Sequence, residues 1–337
     1  MRRPRALLVM DPEAASSQFG EPERQRLAEC VELVTPDPVG ELDSRAVRSA
    51  MSTVDVMVTS WGAPHLSAER VAAAARLRAV VHAAGSVRGL VGQPVWERGI
   101  AVSAAADANA VPVSEFTFAA VVMAGKQAWT LASRTRLERP LGWADVRPRP
   151  ELSNYGRTVG VLGFSRIGRR VVQLLGALET RSVLVADPFA DPAAVAAAGA
   201  ERVGLDELLS RSEILTLHAP ALDSTHRLIG ARELAAMPDG ATLINTARGA
   251  LVDHDALAAE CRAGRLHALL DVTDPEPLPA GHPLLGLPNV MVTPHVAGSL
   301  GSEVRRMSAH AITELERWTR GEEFLTPVTA AELEWSA

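Results

Sequence analysis

Short runs that are apolar from end to end recur along this chain with helical stretches between them, and no other feature constrains its fold as tightly. In the first hundred residues the runs are Ala6–Met10, Val31–Thr35, Val54–Thr59, Ala79–His82 and Ala101–Ser103. Between them Glu21–Glu29, Leu42–Met51 and Ser67–Leu77 have helical periodicity. A strand that alternates apolar and polar residues shows one face to water; a strand that is apolar throughout shows neither. Such strands, joined by helices, belong to a parallel sheet covered on both faces. A second series begins at Thr158, with strands expected at Val159–Leu162, Ser182–Ala186, Ile214–His218, Ala241–Asn245, Ala268–Val272 and Val290–Thr293. One long helical pattern, Val111–Leu137, and the Pro-rich Arg147–Pro150 separate the two series. After Pro294 the chain turns helical again, over about 301–320. That tail is too short to be a domain, so it is expected to pack back onto the N-terminal unit. The reading is α/β, with two doubly wound parallel-sheet domains. Residues 1–105 and 298–337 form one, and 106–297 form the other, inserted into it; 337 residues suffice for two cores.

Composition removes several function classes. The net charge is −6 and the basic residues are spread along the chain, so no stripe suits a nucleic acid. No uninterrupted apolar run approaches the roughly 20 residues of a membrane span. The opening run Ala6–Met10 is too short for a leader and ends at Asp11-Pro12, so it reads as a first buried strand. Cys30 and Cys261 have neither a disulfide framework nor metal-ligand spacing, and two reduced thiols in a cytoplasmic protein are expected. No His, Cys or Asp cluster has ligand spacing, so no metal is expected.

The segment from Thr158 to Val172 reads as strand, tight turn and helix. Gly163 makes the turn, Gly168 allows the close helix–strand contact, and the helix N-terminus offers its free N–H groups to a pyrophosphate. Asp187 lies nineteen positions past Gly168, at the end of the next apolar run. A carboxylate there accepts hydrogen bonds from ribose hydroxyls and repels a 2′-phosphate. Pro188-Phe189-Ala190 supply no Arg to hold that phosphate, so NAD is favoured over NADP in a Rossmann domain. The middle glycine of the pattern is replaced by Ser165, whose hydroxyl is expected to donate to a phosphate oxygen.

Three segments downstream carry chemistry. Asn245-Thr246-Ala247-Arg248-Gly249 puts an Arg just past a strand's C-terminal end, where open α/β sheets bind ligands. Guanidinium pairs with carboxylate through two parallel charged hydrogen bonds. Asp271 to Pro277 follows the next strand and Thr293-Pro294-His295 the last, all on one sheet edge.

These motifs, with Ala108-Asn109-Ala110-Val111-Pro112-Val113-Ser114-Glu115 and Leu217-His218-Ala219-Pro220, occur in the order found in the D-isomer-specific 2-hydroxyacid dehydrogenases. The chain resembles that family from about Val80 to the tail. The resemblance implies a Rossmann NAD-binding domain inserted into a flavodoxin-like substrate domain, a homodimer, and a reaction between a small D-2-hydroxy acid and its 2-oxo acid. Arg248 then binds the substrate carboxylate, His295 moves the proton, and Glu276 orients the imidazole. The cofactor site takes in Gly163, Ser165, Arg166, Ile167, Gly168, Asp187, His218, Ala219, Pro220, Thr246, Ala247, Arg248, Asp271 and His295, with Asp271 at the nicotinamide end. Substrate contacts come from Gly85 and Ser86, in a turn after a strand, together with Arg248 and His295. That turn departs from the family pattern, and Arg88 beside it either meets a second anionic group or faces water.

Two other readings share the fold. In formate oxidisers of this family a neutral amide replaces the acid paired with the His, and Glu276 argues against that. An NADH-sensing corepressor keeps a similar Arg, Glu and His but has long extra tails.

Overall fold

The computed structural model describes residues 3–137 and 139–335. The chain divides into two compact units, Met1–Ala110 with Ser299–Ala337, and Val111–Gly298.

The first unit is built on five strands: β1 (Arg5–Val9), β2 (Glu32–Leu33), β3 (Val56–Thr59), β4 (Ala79–His82) and β5 (Ala101–Ala104). They form one sheet in the order β2-β1-β3-β4-β5, every pair parallel. β3 and β4 are buried at every residue, as their apolar runs require. The helix Val304–Thr319 covers one face, where Ala311, Ile312 and Leu315 join Phe19, Leu27 and the inward residues of β1, β3 and β4. Burying Ile312 and Leu315 contributes about 2 kcal/mol each. Within that helix Glu314, fully buried, accepts the N–H groups of Leu325 and Thr326 from the tail beyond it, at 2.7 Å each. Pro327 then bridges Ser103 in antiparallel fashion, so the tail lies along the β5 edge.

The second unit holds β6 (Thr158–Leu162), β7 (Ser182–Ala186), β8 (Glu201–Arg202), β9 (Ile214–Leu217), β10 (Thr242–Asn245), β11 (His267–Leu270) and β12 (Val290–Val292). Their order is β12-β11-β10-β9-β6-β7-β8, all parallel. The order reverses about β6, which places a ligand crevice at the C-terminal ends of β6 and β9. Two apolar clusters sandwich this sheet, one led by Leu184, Leu215, Leu243 and Leu270, the other by Val161, Val185, Ile244 and Leu269.

The long helical pattern divides. One helix runs Ala106–Gly125 and a second Ala128–Leu137, with Gln127 between them at φ 45°. The first is long and apolar enough in composition to cross a bilayer, but Asp107 and Glu115 interrupt it and half of its apolar window is buried within the protein.

Two buried imidazoles, one in each unit, give the protein an acid-sensitive stability. Burial lowers His82 to about 4 and His218 to about 3. The unfolded chain takes up these protons near 6.5, while the folded chain does so only well below. Stability from this source is therefore complete above pH 6.5 and declines as pH falls toward the folded values. Between pH 6.5 and 5 each unit should lose about 2 kcal/mol, visible as a lower urea midpoint. An unchanged midpoint at pH 5 would contradict the assignment.

Candidate active site

The crevice is shaped by glycines that have no room for a side chain. Gly163, directly after β6, has φ +97°, and a Cβ there would stand 2.6 Å from the Ala219 nitrogen. A Cβ on Gly168 would stand 2.1 Å from the Gly163 carbonyl oxygen. The β6 turn, the helix Arg166–Leu175 and the exit of β9 are thereby held in backbone contact. Ser165 is the N-cap of that helix, its Oγ accepting the Gly168 N–H at 3.3 Å. The oxygen is occupied as an acceptor, which leaves the hydroxyl proton as a donor.

Asp187 stands at the end of β7. Its carboxylate accepts the Phe164 N–H at 2.8 Å and the Phe189 N–H at 2.9 Å. It therefore organises the glycine turn as well as presenting negative charge beside it. One residue here escaped the sequence reading. Arg202, in β8, donates from Nε to the Asp187 carbonyl at 3.1 Å and from Nη2 to the Pro188 carbonyl at 3.0 Å. A two-residue strand leaves no periodicity to find, so nothing in the sequence placed an Arg beside Pro188.

His218 lines the crevice at the end of β9, fully enclosed, with Nε2 3.0 Å from the Thr216 hydroxyl. Its Nδ1 is buried without a protein partner. Its lowered pKa keeps the ring neutral and excludes it as a proton donor near neutral pH. The side-chain-free cradle, the free helix N-terminus and this unsatisfied ring nitrogen fit a dinucleotide. Pro220 closes the turn by accepting the Thr225 hydroxyl at 2.6 Å.

Across the sheet, β10, β11 and β12 end in register, with Asn245 opposite Leu270 and Leu270 opposite Val292. Asn245, fully buried, accepts the Ala247 N–H at 3.0 Å and donates to the Arg248 carbonyl at 2.8 Å, shaping the turn that carries Arg248. The Thr246 hydroxyl meets that of Thr117 at 2.8 Å, and Thr117 itself donates to the Val113 carbonyl. Arg248 is exposed, with Nη1 donating to the Ala247 carbonyl at 2.6 Å. The next residue, Gly249, lies flat against the following loop: a Cβ on it would be 2.0 Å from the Thr273 carbonyl carbon.

That loop ends at Glu276. Its Oε1 is 2.7 Å from Nδ1 of His295, and both side chains are about half exposed. Glu276 and not Asp274 is therefore the partner of the imidazole. His295 has φ 57°, a left-handed conformation costly for a residue with a side chain. Asp271 explains how it is held. Its carbonyl accepts the His295 N–H at 2.9 Å, and its carboxylate, 1% exposed, accepts the Thr293 hydroxyl and the N–H groups of Val296 and Ala297 at 2.6–2.9 Å. The carboxylate of Asp271, the residue expected at the nicotinamide end, builds the loop that carries His295.

Gly85 and Ser86 lie in the first unit, after β4. A Cβ on Gly85 would be 2.9 Å from Nδ2 of Asn109. Arg88 is exposed, as one of its two expected placements requires, and its guanidinium donates to the carbonyl of Leu333 in the tail.

Residues 121–297 match the model of the D-isomer specific 2-hydroxyacid dehydrogenase NAD binding domain. The (S)-sulfolactate dehydrogenase of Chromohalobacter salexigens is 37% identical over 66% of this chain and 71% of its own length. The D-3-phosphoglycerate dehydrogenase of Methanocaldococcus jannaschii is 31% identical over 80% of this chain and 50% of its own. This chain spans about half the length of the phosphoglycerate dehydrogenases it matches. Among solved structures, the TT0316 protein from Thermus thermophilus aligns over 96% of this chain and all of its own, at 29% identity and a TM-score of 0.75. With a glycine cradle, an imidazole–carboxylate pair and an Arg at one sheet edge, and a family model over more than half its residues, the chain belongs to the D-isomer specific 2-hydroxyacid dehydrogenase family.

Proposed function

We propose that this protein is an NAD-dependent oxidoreductase that interconverts a small D-2-hydroxy acid and its 2-oxo acid, with glyoxylate and hydroxypyruvate as the first substrates to test. The observation that carries the reading is the 2.7 Å contact between His295 Nδ1 and Glu276 Oε1, on the sheet edge where Arg248 emerges. When bound, the nicotinamide gives or takes the hydride at C2 of the substrate. Arg248 receives the substrate carboxylate and draws electron density from the neighbouring carbonyl. The Glu276 carboxylate keeps a proton on Nδ1, so Nε2 is the nitrogen that faces the reaction. In reduction the imidazolium gives its Nε2 proton to the carbonyl oxygen as the hydride arrives at carbon. In oxidation neutral Nε2 takes that proton from the hydroxyl.

The test is NADH oxidation against glyoxylate, hydroxypyruvate, pyruvate and longer 2-oxo acids, with NADPH in parallel. Turnover of at least one acid with NADH is expected, with kcat on the order of 10 s⁻¹. Tight NADH binding without turnover of any of them would favour an NADH sensor. Two further parts of the proposal rest on separate observations. A homodimer is supported by Leu137, Trp143 and Tyr155, large apolar side chains exposed in one stretch of the second unit. A cytoplasmic setting is supported by two free cysteines, Cys30 and Cys261.

A further inference from the structure

We propose that Arg202 is a positioning residue for the cofactor: by gripping the backbone of Asp187 and Pro188, it fixes the carboxylate that accepts the adenosine ribose hydroxyls. The inference rests on the reading of Asp187 as the ribose acceptor. Asp187 is the first residue past β7, where the sheet stops holding the chain. The last ladder bonds of β7 run from the Gly163 N–H to the Ala186 carbonyl and from the Val203 N–H to the Val185 carbonyl, at 2.9 Å each. Pro188 follows, with no N–H by which a neighbour could hold it. Arg202 pairs with Val185 across the edge between β7 and β8, so its side chain starts two residues short of Asp187. The guanidinium spans that gap. Its Nε donates to the Asp187 carbonyl at 3.1 Å and its Nη2 to the Pro188 carbonyl at 3.0 Å. The group is planar, so two bonds from one fork fix direction as well as distance.

The consequence is a matter of lone pairs. Oδ2 of Asp187 accepts the Phe164 N–H at 2.8 Å, and Oδ1 accepts the Phe189 N–H at 2.9 Å. Each carboxylate oxygen has a second lone pair, and the second ones are what a ribose hydroxyl can use. Their aim depends on the backbone beneath them. A carboxylate tied at its oxygens but loose at its own carbonyl can pivot about the Phe164 contact, and its remaining lone pairs turn with it. Arg202 supplies the second anchor, on the backbone side. Its own side chain is exposed on a two-residue edge strand, so packing in the core does not account for it. The two carbonyl bonds do, and both end on the segment that carries Asp187.

The experiment titrates the full chain with NADH, and with NADH whose adenosine carries 2′-deoxyribose, by fluorescence and without substrate. The deoxy analogue lacks one of the donors that Asp187 accepts, so the wild type should bind it about tenfold more weakly than NADH. Arg202→Ala should raise the NADH Kd about tenfold but the Kd of the analogue less than about threefold, because the bond that Arg202 supports is already missing there. Arg202→Lys, whose ammonium reaches one carbonyl at a time, should raise the NADH Kd only about threefold. Arg202→Ala that binds NADH like the wild type would overturn the proposal. So would an equal loss for NADH and the analogue, which is the mark of a merely structural residue. A wild type that binds the analogue as tightly as NADH would remove the underlying reading of the ribose site, an outcome distinct from both.

Discussion

Replacing His295 with Ala is expected to lower kcat for the proposed 2-oxo acid reduction by about 10³-fold and to leave the NADH Kd within about threefold of the wild type. The size follows from what is lost. The carbonyl oxygen gains negative charge as hydride reaches the carbon, and without an imidazolium it must take its proton from water. The selectivity follows from where the ring sits. Its backbone is held by Asp271 through bonds to the chain and to Thr293, none of which uses the imidazole. Removing the ring therefore leaves the loop and the glycine cradle intact. Stopped-flow turnover and NADH fluorescence titration on one preparation check both halves. A variant that loses NADH binding would show that the ring is structural. Glu276→Gln should act in the same direction but less strongly, since it leaves the proton carrier and removes only its orienting charge.

Gly249→Ala, a single methyl group, should be nearly as damaging. Its Cβ would lie 2.0 Å from the Thr273 carbonyl carbon, 2.1 Å from the Thr273 oxygen and 2.6 Å from the Asp274 nitrogen. These are backbone atoms and cannot rotate aside. The turn bearing Arg248 and the loop bearing Glu276 must separate, and both functional groups move at once. A displacement of about 1 Å at a reacting site costs on the order of 10²-fold in rate. We expect kcat/KM to fall by at least about 10²-fold, with stability lowered by about 1–3 kcal/mol from overpacking. Thermal unfolding and steady-state kinetics test it. Wild-type kcat/KM in this variant would mean that the two segments are not mechanically joined.

The fold was legible because both sheets are parallel and buried, so that nearly every strand appears as an apolar run. β8 was missed because two residues cannot show a pattern, and Arg202 was missed with it. The break at Gln127 was missed because neither Gly nor Pro marks it; the chain there enters the left-handed region with a residue that rarely does so. At the site, Arg248 and His295 stood out by residue type and position after a strand, whereas Glu276 was set apart from Asp274 only by the family resemblance. The work of Asp271 was not. Its neighbours in sequence give no hint that its carboxylate closes on a loop more than twenty residues later. The contact from Arg88 to the tail was not legible for a related reason: its partner is a backbone carbonyl, and backbone carbonyls are invisible in a sequence pattern.

The first unit draws its helix Val304–Thr319 from the far end of the chain, and that helix supplies one wall of its core. During synthesis the sheet of the first unit emerges early but waits, with the face later covered by Ile312 and Leu315 open to water. The second unit, continuous in sequence, is free to complete its core in the meantime. Order of emergence and order of completion are thus reversed, and the earliest strands are those a nascent-chain chaperone has most reason to guard.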